Sequence, residues 1–219
     1  MKPRGDFPIV GVGASAGGLE AFSELLTHLP ADTGMGFVLV QHLDPNQKSS
    51  LTELLAKSSR MPVEEITADI VVQPNHVYVI PPNRDLTIAD GTLRVHPRVR
   101  VRGAARAIDL FFESLAADMQ QRAIGVILSG LASDGTHGLE AIKAEGGITF
   151  AQDESAKHNS MPRSAAAAGC VDFVLDPAGM AEELMRIASH PYVHGVAIDE
   201  DSEKTAKNAS TEREGKKSS

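Results

Sequence analysis

Three short polar segments each follow an apolar run, and together they hold the residue types for acyl transfer. The first is Gly11-Val12-Gly13-Ala14-Ser15-Ala16-Gly17-Gly18, which continues the run Pro8–Val12. Its Gly13-x-Ser15-x-Gly17 spacing fits a nucleophile elbow, where small neighbours let a strand turn sharply into a helix and expose the serine hydroxyl. The stretch also fits a dinucleotide fingerprint through Gly11-x-Gly13-x-x-Ala16, whose glycines admit a pyrophosphate to a helix N-terminus. A plainer reading makes it a glycine-rich turn with Ser15 as a helix cap.

The second segment, Val40-Gln41-His42, discriminates between these. A dinucleotide site wants an acid at this strand end, to bind ribose hydroxyls. His42 stands there instead. Asp44 comes two residues later, before Pro45, and is expected to turn away. A histidine suits a serine one strand away, because neighbouring strands lie about 5 Å apart. The third segment, Ser129-Gly130-Leu131-Ala132-Ser133-Asp134-Gly135-Thr136-His137-Gly138, follows Ala123–Leu128. Asp134 either orients His42 by accepting its second ring N–H or caps the helix that follows. With His137 it makes only two metal ligands, short of the three or four that a site needs. The order Ser…His…Asp departs from the Ser…Asp…His order of α/β-hydrolases.

These segments need a scaffold that brings them to one edge. Apolar runs predict strands at 8–12, 36–40, 76–80, 123–128, 148–151 and 171–174. Helical patterns predict helices over 19–29, 48–59, 107–119, 137–145 and 178–188. Leu86–Ile88 and Thr92–Val95 flank Asp90-Gly91, a hairpin-turn signal. Strand and helix in alternation predict an α/β fold: a doubly wound, mostly parallel sheet with helices on both faces and one inserted antiparallel hairpin. Ligands in such sheets sit at the carboxyl ends of the strands.

Composition narrows the classes. The chain has 219 residues, 42% of them hydrophobic, enough for one domain with an ordinary core. A net charge of −8 argues against general nucleic-acid binding. One cysteine, Cys170, excludes an intrachain disulfide. The longest apolar runs fall far short of the about 20 residues that span a bilayer, so no membrane insertion is expected. Met1–Asp6 lacks a signal-peptide apolar region, and the expected compartment is the cytoplasm. Residues 1–195 are expected to form the folded domain. Residues 196–219 turn polar and mixed in charge, and are expected to be a disordered tail.

At this point the chain resembles the CheB family of chemotaxis methylesterases. The stretches that carry the resemblance are Ile9–Gly18, Val40-Gln41-His42, His76–Pro82, Gly125–Gly135, Ala151-Gln152-Asp153-Glu154 and Met161–Ala165. They run in unbroken order over about residues 6–190, and as a set they are highly specific. The resemblance implies a methylesterase catalytic domain over 1–195, acting on glutamate methyl esters of chemoreceptor cytoplasmic helices and on receptor glutamines. It places the family's serine, histidine and aspartate on Ser15, His42 and Asp134. It implies no cofactor and no metal, and a CheR-type methyltransferase as a further partner. Three departures stand out. Ala16 follows the nucleophile without a hydroxyl. Leu131 replaces a methionine thought to help the oxyanion site, which leaves its backbone N–H. The first strand begins near residue 8, so no receiver domain is expected ahead of it, and activity without phosphorylation is expected.

The implied chemistry has Ser15 attack the ester with His42 as base, and Asp134 holding the imidazole. Backbone N–H groups near Ala16 and Gly17, with Leu131, would meet the oxyanion. Two other classes compete: a weakly active module that binds receptor or methyltransferase, and a nucleotide-dependent oxidoreductase resting on Gly11, Gly13 and Ala16. Cys170 reads as a small buried hydrophobe, and His28 as a solvated helix-flank residue. Asp153 either lines the cleft or makes a turn. Met161-Pro162-Arg163 is a substrate wall or a helix start through Pro162. The basic stretch Arg94–Arg106 either docks an acidic substrate or is a solvated loop.

Overall fold

The apolar runs are not alternating, and their burial explains why. Every residue of β1 (Ile9–Ala14) is buried, as is every residue of β8 (Ala123–Ile127). A strand covered on both faces has no polar side to present. The computed structural model describes residues 7–41, 51–98 and 106–189. Seven strands form one sheet in the order β10 (Phe173–Leu175), β9 (Ile148–Gln152), β8, β1, β2 (Gly36–Gln41), β5 (His76–Val79), β3 (Val63–Glu65). Every pair in it is parallel.

One face is covered by α1 (Gly18–His28), α2 (Leu51–Ser58) and α6 (Pro177–Ala188), which pack on Val10, Val12, Leu39, Val126 and Phe150. The other is covered by α3 (Ala107–Met119), α4 (Thr136–Ala144) and α5 (Ser160–Ala167), which pack on Ile9, Val38, Val40 and Ile127. The expected doubly wound α/β fold is therefore present. The hairpin forms as well, in a separate antiparallel sheet of order β4 (Ile70–Val71), β7 (Thr92–Pro97), β6 (Arg84–Ala89). Asp90 and Gly91 both adopt positive φ at its tip, as a primed turn requires. The Asp118 carboxylate on α3 accepts both of their N–H groups, at 2.8 and 2.9 Å.

Strand β1 runs two residues further than its apolar pattern suggests, so Gly11 and Gly13 lie inside it rather than in a loop. Both face α3. A Cβ on Gly13 would stand 2.5 Å from Ile108 Cγ2, and one on Gly11 2.9 Å from Phe112 and Leu115. These glycines let α3 lie close on the sheet. That overturns the dinucleotide reading, in which they would face a pyrophosphate. The short strands β3 and β4 carry no strong sequence pattern and were not expected, whereas α5 agrees with the helix start through Pro162.

The chain passes from β1 to β2 on one side and later places β8 on the other. The strand order therefore reverses at β1, and a crevice opens at the carboxyl ends of β1 and β8. The expected tail, 196–219, lies outside the described residues. Among those residues, no helix is long and apolar enough to cross a membrane.

Candidate active site

Ser15 is the first residue after β1, at that crevice. Its N–H donates to Ser129 O at 3.0 Å, and its carbonyl accepts from Gly18 N–H at 3.0 Å and Gln41 Nε2 at 3.4 Å. The turn into α1 closes at Gly17, whose φ of 74° lies in the left-handed region. Such a turn favours glycine, because a Cβ would crowd the following carbonyl. A Cβ there would also stand 2.8 Å from Ser129 Oγ. Gly17 is the N-cap of α1 and no side chain caps it. Ser15 is thus not a helix cap, and its hydroxyl is left for other work. The N–H groups of Ala16 and Gly17 donate to no described residue. They sit at a helix start, where unpaired donors and the helix dipole favour negative charge.

Ser129 secures this turn, although sequence reasoning assigned it no role. Its Oγ donates to Ala16 O at 2.8 Å and accepts from His158 N–H at 3.0 Å. Its N–H donates to Gln152 Oε1 at 2.9 Å, and Gln152 Nε2 donates to Ser155 Oγ at 3.1 Å. Gly130 continues the tie: its N–H donates to His158 O and its carbonyl accepts from Met161 N–H. A Cβ on Gly130 would meet Met161 Sδ at 2.1 Å and Ser15 Cβ at 3.0 Å. The available sequence signal was a serine-glycine pair directly behind a wholly apolar strand.

Asp134 is buried, 7% exposed. Its two oxygens accept Ile108 N–H at 3.1 Å and Asp109 N–H at 3.0 Å. Those donors open α3, so Asp134 caps α3 and not the helix that follows it in sequence. The N-cap of α4 is Gly135, with no side-chain cap from its own turn. Asp109 serves α4 instead, its Oδ1 accepting Gly135 N–H and Gly138 N–H at 2.9 Å each. Burial pushes the Asp109 carboxyl above its ordinary range, the neighbouring Asp134 charge adds to the rise, and the backbone donors oppose it.

His42 lies outside the described residues. The chain leaves β2 at Gln41, which is in register with Ala14. Leu131 is present on the β8 loop with its side chain 54% exposed. Its neighbour Ala132 holds a left-handed φ of 69°, a conformation that costs an L-residue about 1–2 kcal/mol.

The remaining candidates fall into structural roles. Asp153 Oδ1 accepts Ser155 N–H at 2.9 Å and makes a turn. Met161 is buried in α5 beneath Gly130, and Arg163 pairs with Glu154. Cys170 is buried, which raises its thiol pKa and suppresses the thiolate. His28 is exposed. His137 is exposed and bound to Glu140, not to Asp134. Among the described residues, no three potential ligands cluster for a metal. Within the basic stretch, Arg98 pairs with Asp85 at 3.9 Å and Arg106 with Glu113 at 2.8 Å, so neither is an idle cation. Residues 99–105 lie outside the described residues.

Fold and site define a doubly wound α/β protein with its polar loops gathered at the switch point. The chain belongs to the CheB methylesterase family, whose model matches residues 10–184. It is 36% identical over 190 residues to "Protein-glutamate methylesterase/protein-glutamine glutaminase 2" of Burkholderia lata, covering 86% of this chain and 56% of that one. A Leptospira interrogans relative with both activities in its name is 35% identical, covering 83% of this chain and 95% of its own. The chain thus spans about half the length of the Burkholderia relative. The solved CheB methylesterase catalytic domain of Thermotoga maritima superposes with a TM-score of 0.76 at 28% identity, covering 83% of this chain and 98% of that one.

Proposed function

We propose that this chain hydrolyses methyl esters of glutamate side chains on chemoreceptor cytoplasmic helices, and deamidates receptor glutamines, by a Ser15-His42-Asp134 acyl-enzyme mechanism. The observation that carries this reading is the turn at Ser15. Among the described residues nothing bonds its hydroxyl, and the Ala16 and Gly17 N–H groups that follow it have no acceptor.

Ser15 Oγ attacks the ester carbonyl carbon and His42 takes its proton. The oxyanion is held by the Ala16 and Gly17 N–H groups, with the Leu131 N–H as a further donor. One such donor is typically worth about 2.7–4 kcal/mol in the transition state. Collapse breaks the bond to the methoxy oxygen, and His42 protonates it to give methanol. Water, deprotonated by His42, then cleaves the acyl-enzyme and leaves glutamate. A glutamine amide follows the same course and releases ammonia. Asp134 keeps the imidazole in the productive tautomer and stabilises its charged form. A CheR-type methyltransferase is proposed as the partner that supplies the ester. The test is methanol release from methylated receptor membranes, wild type beside Ser15→Ala. Release by wild type alone supports the mechanism, and equal release by both overturns it.

A further inference from the structure

Two helices on one face of the sheet exchange caps. Asp134, in the loop before α4, accepts the Ile108 and Asp109 N–H groups in the first turn of α3. Asp109, in the first turn of α3, accepts Gly135 N–H and Gly138 N–H at the start of α4. Capping here thus runs across 25 to 29 residues of sequence. The cap of α6 is ordinary by comparison: Asp176 accepts from Gly179, three residues on, at an exposed turn.

We propose that Asp109 is a positioning residue of the active site, which fixes Asp134 by holding the loop that carries it. The proposal rests on the reading of Asp134 as the carboxylate that orients His42. Burying two like-charged carboxylates side by side is unfavourable. Asp109 is 3% exposed and Asp134 7%. A helix cap alone needs no such pair, since one exposed Ser or Asn suffices. Four charge-assisted bonds from rigid helix ends do what a flexible loop cannot: they hold the Asp134 oxygens in place from one side and the N–H of the next residue, Gly135, from the other. The Asp109 side is braced further by Arg106, whose Nε stands 3.6 Å from Oδ2. Catalytic groups must be held within fractions of an ångström, and a misplacement of about 1 Å can cost about a hundredfold.

The experiment follows kcat and KM for methanol release, with melting temperature, in the full chain. The variants are Asp109→Ala, Asp109→Asn, Asp134→Ala and Asp109→Ala/Asp134→Ala. Asp109→Ala removes the acceptor for both N–H groups, so kcat should fall by about tenfold or more while KM stays within about twofold. Because Asp109 acts through Asp134, Asp109→Ala should change kcat little once Asp134 is already Ala, although melting still drops. Losses that multiply in both backgrounds would overturn the proposal and leave a merely structural cap. Asp109→Asn keeps an oxygen for both donors. It should retain kcat within about threefold, and it decides the matter should the alanine variant fail to fold. A tenfold kcat loss in a folded Asp109→Asn protein would overturn positioning by acceptor geometry. Full turnover by Asp134→Ala would instead sink the proposed mechanism itself, independently of Asp109.

Discussion

The Ser15 N–H donates to Ser129 O at 3.0 Å, two residues beyond the last pair of β1 and β8, Gly13 and Ile127. Leu128 N–H donates to Gly13 O at 2.9 Å just before it. The parallel ladder therefore continues past both strands, and the nucleophile turn is an extension of the sheet. That gives Ser15 the rigidity of a strand with the exposure of a loop, which suits a catalytic group.

Ser15→Ala should abolish methanol release from methylated receptor membranes. The hydroxyl caps no helix, so the stability cost should be at most about 1 kcal/mol, measured by urea unfolding. Residual turnover near the wild-type rate would rule out the serine mechanism.

Ser129→Ala removes the bond to Ala16 O and the acceptor for His158 N–H. It should cost about 1–2 kcal/mol, since a part-buried donor is left unpaired. Activity should fall with kcat, because Ala16 carries a proposed oxyanion donor. An unchanged kcat in the folded variant would show that the turn holds without Ser129.

Gly130→Ala should damage activity more than stability. Its Cβ meets the Met161 thioether, which can move, but also Ser15 Cβ at 3.0 Å, which is tied to the sheet. Overpacking should cost about 1–3 kcal/mol. Adding Met161→Ala should recover part of the stability and little of the kcat. Full recovery of both would mean that Ser15 is undisturbed.

Gly13→Ala tests the packing account of the glycine-rich strand. Its Cβ would stand 2.5 Å from Ile108 Cγ2 and 2.8 Å from Ile127 Cδ1. A loss of about 1–3 kcal/mol is expected, and it should be smaller in an Ile108→Ala background, where the Cγ2 methyl is gone. No loss in either protein would show that α3 does not need the glycine.

Asp109 should also set a pH dependence. Its carboxyl pKa is raised in the fold, chiefly by burial. The folded state then holds its proton at a pH where the unfolded chain has lost it. The contribution to stability is greatest below the unfolded value and is lost as pH rises through the folded one. Asp109→Asn mimics the protonated form. It should gain stability relative to wild type as pH rises above the unfolded carboxylate range, read by denaturant unfolding at several pH values. A difference that is flat with pH would contradict the raised pKa.

Much of this was legible in the amino-acid order. The apolar runs marked β1, β2, β5, β8, β9 and β10; in β1, β2, β8 and β9 burial on both faces leaves a continuous hydrophobic signature. Helix α3 falls on 107–119 as expected, and Asp90-Gly91 turns the hairpin. Placing Ser15 and Asp134 behind two buried strands needed only the alternation of strand and helix. Strands β3 and β4 were not legible, at three and two residues, because too few side chains alternate to make a period. Helix α5 showed only its start, at Pro162, because the run of alanines behind it carries little hydrophobic contrast.

What only tertiary structure decided is who bonds to whom across the crevice. Local reasoning offered Asp134 either to His42 or, as a cap, to the next helix, because a cap is usually within a few residues of its donors. The fold pairs it with α3 and gives α4 to Asp109. Local reasoning left a ligand open as one reading of the β1 glycines, and the fold packs them against α3. Ser129 and Gln152 became structural hubs only when β1, β8 and β9 lay side by side. Sequence periodicity records which face of an element is buried. Hydrogen bonds between distant loops depend on which elements become neighbours, and that follows from the sheet order, which no local pattern encodes.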